Sequence, residues 1–187
     1  MAHKHISTIL FGIILLAIAC GSPDNVFVNE VKTFEPRWMD LSETVAFIDR
    51  NLAVAERNYD TGYQTMKEKA KVGGANAIAE FNSLRSEFND VIGKRDSIRT
   101  HYRKQKKAFT EAVMTFHEWE NRLLKNRLDA AAAKQDFKAH KKKYRELEQT
   151  MEQLRSDITM NIERHNSVIK RMGRLLGVFS NFDIQVN

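Results

Sequence analysis

The chain has 187 residues, with 30 Lys and Arg against 24 Asp and Glu, a formal net charge of +6, eight glycines, two prolines and one cysteine. A single cysteine excludes an internal disulfide framework. The basic excess is modest, so the placement of charge along the chain says more than its sum.

The first nineteen residues have the three parts of an export signal: a polar start with Lys4, the apolar run "ILFGIILLAIA", and the small residues Ala17 and Ala19 ahead of Cys20. The run is shorter than the roughly twenty apolar residues that cross a bilayer. Around Cys20, "LLAIACGS" resembles the lipobox of bacterial lipoproteins, with Ala17 where leucine is commonest. The resemblance covers only this leader. It implies cleavage before Cys20, a diacylglyceryl group on its sulfur, and a body held in the periplasm or at the cell surface. Gly21 is not the aspartate that retains enterobacterial lipoproteins at the inner membrane, which favours the outer membrane. Several acyl chains together exceed the marginal hold of one. An ordinary signal peptide with an incidental cysteine, or an uncleaved anchor, is the alternative. The expected organisation is a signal at 1–19, a lipidated tether at 20–27, a helical bundle at 28–179 and a tail at 180–187.

The body reads as helix almost throughout. No glycine or proline falls between Gly93 and Gly173, and the composition favours residues that lose little on entering a helix. In the first arm, Pro36 either opens the long helix or kinks one that began near Asn25. Apolar residues then recur in steps of four and three at Phe34, Trp38, Leu41, Val45, Ile48, Leu52, Ala55 and Tyr59. The phase slips by one residue at "KVGGAN" (71–76), where two glycines predict a turn.

The second arm repeats the pattern at Phe81, Leu84, Phe88, Val91, Arg95, Ile98, Tyr102, Gln105, Phe109, Ala112, Phe116, Trp119 and Leu123. A step averaging about 3.5 residues is a heptad seam. Near residues 123–136, Asn126 is placed to end one helix and Asp129 to cap the next. The phase runs through this segment unbroken, so a continuous helix of about a hundred residues, roughly 150 Å long, is the competing reading. The third arm carries Ala133, Phe137, His140, Tyr144, Leu147, Met151, Leu154 and Ile158, then Val168, Met172, Leu175 and Phe179. Three arms of roughly fifty residues can cover one another's seams from end to end. The expected fold is therefore all-α, an elongated antiparallel three-helix coiled-coil bundle. The tail "GVFSNFDIQVN" is expected to pack over a bundle end or fray, with strand pairing to "NVFVNEV" (25–31) as the alternative.

Arg95, Gln105, His140 and His165 fall on inward positions, where polar residues most often set register or extend their heads to solvent. No phosphate loop, nucleophile elbow or paired-cysteine metal pattern occurs. "HEWEN" (117–121) begins like a zincin helix but has Asn121 where the second histidine belongs. No enzyme, cofactor or metal is implied.

With the signal removed, the loss of Lys4 takes the 30 basic residues to 29 against 24 acidic ones, a net charge of about +5. Much of it sits in "RTHYRKQKK" (99–107) and "KAHKKKYR" (138–145). Such runs are usually solvated helix faces. If they bind a ligand, Arg103, Lys104, Lys106, Lys107, Lys141, Lys142, Lys143 and Arg145 carry the site; a hairpin turning near residue 128 puts the two runs on adjacent stretches. Outside the cytoplasm the expected ligands are anionic lipid headgroups, wall polymers or acidic proteins, not nucleic acid. The leading functional reading is a lipid-anchored, non-enzymatic scaffold or docking protein. The others are a binder of anionic wall polymer or lipid, and a periplasmic holdase with long helical arms, similar in composition to chaperones of the Skp type.

Overall fold

The structure is a computed structural model that describes residues 24–125, 127–177 and 184–186. The signal, Cys20, Asn126 and Phe179 lie outside the described residues. Among the described residues four helices follow in order: α1 (Asn25–Phe34), α2 (Pro36–Val72), α3 (Gly74–Leu124) and α4 (Ala130–Leu175). None of them is long and apolar enough to cross a membrane.

Helix α1 begins inside the segment expected to be tether. Asp24 is extended and its Oδ1 accepts from the Phe27 N–H at 2.7 Å, which caps the helix. Phe27, Val31 and Phe34 then place one buried face on α1. Because Asn25 to Val31 is helical, strand pairing with the tail does not occur. At the α1–α2 junction both readings of Pro36 meet. Glu35 keeps helical dihedrals and bonds back to the Val31 carbonyl at 3.0 Å. Pro36 has no N–H to continue the ladder, and Trp38 N instead donates to the Glu35 carbonyl at 3.0 Å, a tighter turn.

The glycine turn falls where the phase slips. Gly74 has φ of +81°, a left-handed conformation costly for residues with a Cβ. Gly73 is required for space, since a Cβ there would meet the Ala77 Cβ at 2.6 Å. The second turn is also formed, and the continuous hundred-residue helix is not. Helix α3 ends at Leu124, and the Asp129 Oδ1 accepts from the N–H groups of Ala131 and Ala132, both at 3.0 Å, to start α4.

The chain divides into two compact units. The first comprises residues 24–39 with Phe109–Glu146, and the second Asp40–Ala108 with residues 147–177 and 184–186. In the first unit, α3 runs antiparallel to α4, with Trp119 stacked on Phe137 at 5.7 Å and Phe116 against His140 at 5.5 Å. Phe34 is the hub of this core, its ring within 6.4 Å of those of Trp38, Phe116, Phe137 and Tyr144. Ring pairs of this kind contribute about 0.5–1.5 kcal/mol each beyond the area they bury.

In the second unit, α2 and α3 are antiparallel, as Tyr63 against Phe81 and Lys106 against Asp49 show. Helix α4 is antiparallel to α3 as well, with Arg171 paired to Glu87 and Asn161 bonded to Val91. Apolar seam positions such as Ile48, Ala55, Phe88, Met151 and Ile158 are buried. Leu84 and Gln105 are only half-buried, and Leu175 is 48% exposed because α4 ends there, just before Gly177 at φ +64°. Ile184 from the tail is buried. Asn166 holds its backbone at both groups, donating to the carbonyl at 2.8 Å and accepting from the N–H at 3.0 Å.

Candidate functional site

The two basic runs belong to different units. In the first unit, Lys141 and Arg145 are four residues apart on α4 and therefore share a face. With Arg37 from the first turn of α2, and with Glu30, Thr33, Phe34 and Phe137, they line a groove of about 380 Å³. Three cations face one carboxylate there. Lys141 Nζ bonds to Glu30 Oε1 at 2.8 Å and lies 4.6 Å from the Phe137 ring centroid, while Arg37 lies 5.7 Å from that of Phe34. Aromatic faces beneath the cations hold the groove open and favour positive charge above them. Lys142 and Lys143 are exposed and do not line it.

The groove brings together two of the expected residues and adds one that sequence reasoning missed. Arg37 stands alone in "FEPRWMD", outside any basic run. It reaches the groove because the chain crosses from α1 to α2 at Glu35 and Pro36 without reversing.

The second unit treats its run differently. Arg103 and Lys106 line a groove of about 260 Å³ with Arg99, Tyr102, Asp49 and Glu56. Lys106 pairs with Asp49 at 2.5 Å, and Arg99 pairs with both Glu56 and Asp96. The charge of this groove is largely balanced by its own carboxylates. Lys104 and Lys107 are exposed and outside its lining. Tyr102 donates to the Val45 carbonyl at 2.9 Å, and burial, with Asp49 nearby, pushes its phenol well above the ordinary range.

The chain matches no protein-family model, no curated protein and no solved structure. Its site therefore has to be read from its own geometry.

Other polar constellations are of two kinds. In the second unit, Tyr59, Arg95, Asn161 and His165 form a network inside the bundle. Arg95 is bonded to Asp96 and lies 5.3 Å from the Tyr59 ring centroid. Asn161 accepts from the Tyr59 hydroxyl at 2.7 Å and donates to the Val91 carbonyl at 3.0 Å, so one side chain joins three helices. This is a register-setting network, closed to solvent at Tyr59 and His165. In the first unit, Glu35, His117 and Glu120 bring one ligand atom each to within 4.8 Å of one another. Burial and the neighbouring Glu35 carboxylate push the Glu120 carboxyl above the ordinary carboxylate range, against the opposite pull of His117 and Lys32. These three are the described residues that could hold a metal ion.

Proposed function

We propose that the protein is a lipid-anchored, non-enzymatic helical bundle of the bacterial cell envelope that docks an anionic partner through the groove of Arg37, Lys141 and Arg145. The anchoring half of this reading rests on the lipobox-like sequence ending in Cys20 and on the three residues, Gly21, Ser22 and Pro23, that separate Cys20 from the helix cap at Asp24. So short a tether keeps α1, and the groove beside it, close to the membrane that receives the lipid.

The docking half rests on one observation, the excess of two positive charges in a groove with an aromatic floor. Arginine presents a planar fork that matches carboxylate and phosphate oxygens, and two arginines flanking a lysine suit a multivalent anion. The ligand chemistry is thus a carboxylate- or phosphate-bearing group. The basic run of the second unit, balanced by Asp49 and Glu56, is assigned a structural role.

The test is binding of the full chain to polyglutamate and to inorganic polyphosphate in detergent, and to vesicles containing phosphatidylglycerol after the detergent is removed, across a salt series. Binding that weakens steeply with salt and is lost in an Arg37→Gln, Lys141→Gln, Arg145→Gln variant supports the reading, and the three probes separate the sources of the charge. Binding unaffected by those substitutions rejects it.

A further inference from the structure

Glu35, His117 and Glu120 converge from two parts of the chain that no sequence motif connects. His117 and Glu120 lie three apart on α3 and share a face, with His117 Nδ1 at 3.5 Å from Glu120 Oε2. Glu35 arrives from the α1–α2 junction, where it stands as the last residue before the missing N–H of Pro36. Trp119, between the two α3 ligands, stacks on Phe137 and fixes the rotation of the helix, so the histidine and the glutamate cannot turn away together.

Two features mark this cluster off from an ordinary group of surface acids. The Glu120 side chain is only 9% exposed, and among the described residues its hydrogen-bonding partner is His117 alone; Lys32 of α1 acts on it at longer range. A carboxylate this buried that also faces a second carboxylate favours a cation beside it. The spacing also suits a metal. Ligands about 2.1 Å from a tetrahedral ion are about 3.4 Å apart, close to the His117–Glu120 separation already present. Glu35 and His117 are not buried, which leaves them room to close the remaining distance.

We propose that Glu35, His117 and Glu120 form a binding site for a divalent first-row transition metal, with its remaining positions open to water. An imidazole with two carboxylates favours zinc, cobalt, nickel or manganese over magnesium and calcium, which take oxygen ligands. The bound ion ties the α1–α2 junction to α3 and so holds the first unit together across the break in helical bonding at Pro36. The site is separate from the anion-binding groove and does not depend on it.

The test is titration of the full chain, in detergent, with Zn²⁺ by calorimetry and with Co²⁺ by visible absorption, alongside thermal melting with and without Zn²⁺. The variants are Glu35→Gln, His117→Asn and Glu120→Gln. His117 is 46% exposed, so its substitution leaves packing intact even where that of Glu120 does not. One saturable equivalent, weakened roughly tenfold or more in each folded variant, and a Zn²⁺-dependent rise in melting temperature lost with it, would support the site. His3, His5 and Cys20 are unchanged in all variants, so binding that survives the substitutions, or no saturable binding at all, overturns it.

Discussion

Tyr59 stacks face to face on His165, with ring centroids 4.0 Å apart and planes 3° from parallel. The stack aligns the Tyr59 hydroxyl on Asn161, which in turn reaches the Val91 carbonyl. Helices α2, α3 and α4 are therefore joined by a short polar chain inside a largely apolar seam. Burial pushes the Tyr59 phenol far above its ordinary range, so it stays a donor at any physiological pH. Tyr59→Phe should destabilise the protein by about 1–3 kcal/mol, because Asn161 Oδ1 is left buried without its donor. Asn161→Leu should cost a similar amount. The double variant should recover part of the loss, since neither polar atom is then stranded. Urea unfolding of the four proteins measures this, and strictly additive costs would show that the hydroxyl–amide bond is not the coupling.

The two turn glycines serve different ends, and a rescue experiment separates them. Gly73→Ala should destabilise by about 1 kcal/mol or more through the clash with Ala77. Ala77→Gly removes the clashing methyl, at its own helix-propensity cost of about 1 kcal/mol. In that background Gly73→Ala should cost much less. Gly74→Ala, whose difficulty is the +81° dihedral rather than space, should show no such rescue. Equal responses at the two positions would reject the distinction.

How far the sequence could be read follows from what each feature depends on. The helices, their seams and the glycine turn depend on local periodicity and on backbone chemistry, and these are written in the chain. Phe27, Val31 and Phe34 continue the same steps of four and three, so the early start of α1 was also legible, with Asp24 as its cap. The second turn was not decided by the seam, because a hairpin with no phase change and a straight helix place the same residues inward; the Asp129 cap decides it. Arg37 and Glu35 carry no periodic signal at all. Their roles arise only when the Pro36 junction brings residues from α1 and α2 beside α3 or α4. Asn161 falls on the third-arm seam, three residues after Ile158 and four before His165, so its inward position is legible, but its partners Tyr59 and the Val91 carbonyl come from other helices and carry no signal beside it.

His140 gives the first unit a predictable response to acid. Its ring packs against Trp119 at 5.0 Å and Phe116 at 5.5 Å, and this burial lowers its pKa below the ordinary 6.5, with Asp136 opposing in part. The unfolded chain then binds a proton more readily than the folded one. Stability should be full above about pH 7 and decline as the pH falls through 6.5 toward the lowered value. His140→Gln should remove that part of the decline. Denaturation midpoints for both proteins at about pH 7.5 and about pH 5 test the sign. A larger acid loss in the variant than in the parent would contradict it.

Cys20→Ala isolates the anchoring reading from everything that concerns the bundle. With no thiol to accept diacylglyceryl, the chain should accumulate as an unprocessed precursor carrying Lys4 and the full apolar run. Intact mass of the membrane-extracted protein distinguishes the two forms. Normal cleavage of Cys20→Ala, or a parent chain without added lipid mass, would rule against the lipoprotein assignment while leaving the groove unaffected.

Glu30 gives the groove a test that predicts gain rather than loss. It is the one carboxylate in the lining, and at 2.8 Å from Lys141 it neutralises a cation that an incoming anion would otherwise meet. Glu30→Gln should therefore tighten binding of polyphosphate or anionic vesicles and steepen its salt dependence. The exposed ion pair contributes only about 0–1 kcal/mol to folding, so stability should barely change. Lys142→Gln and Lys143→Gln, outside the groove, should reduce binding much less than Arg37→Gln or Arg145→Gln. If instead all basic residues of the first unit matter equally, the ligand is answering to net charge alone. Weaker binding after Glu30→Gln would mean that the carboxylate belongs to the recognition surface rather than competing with the ligand.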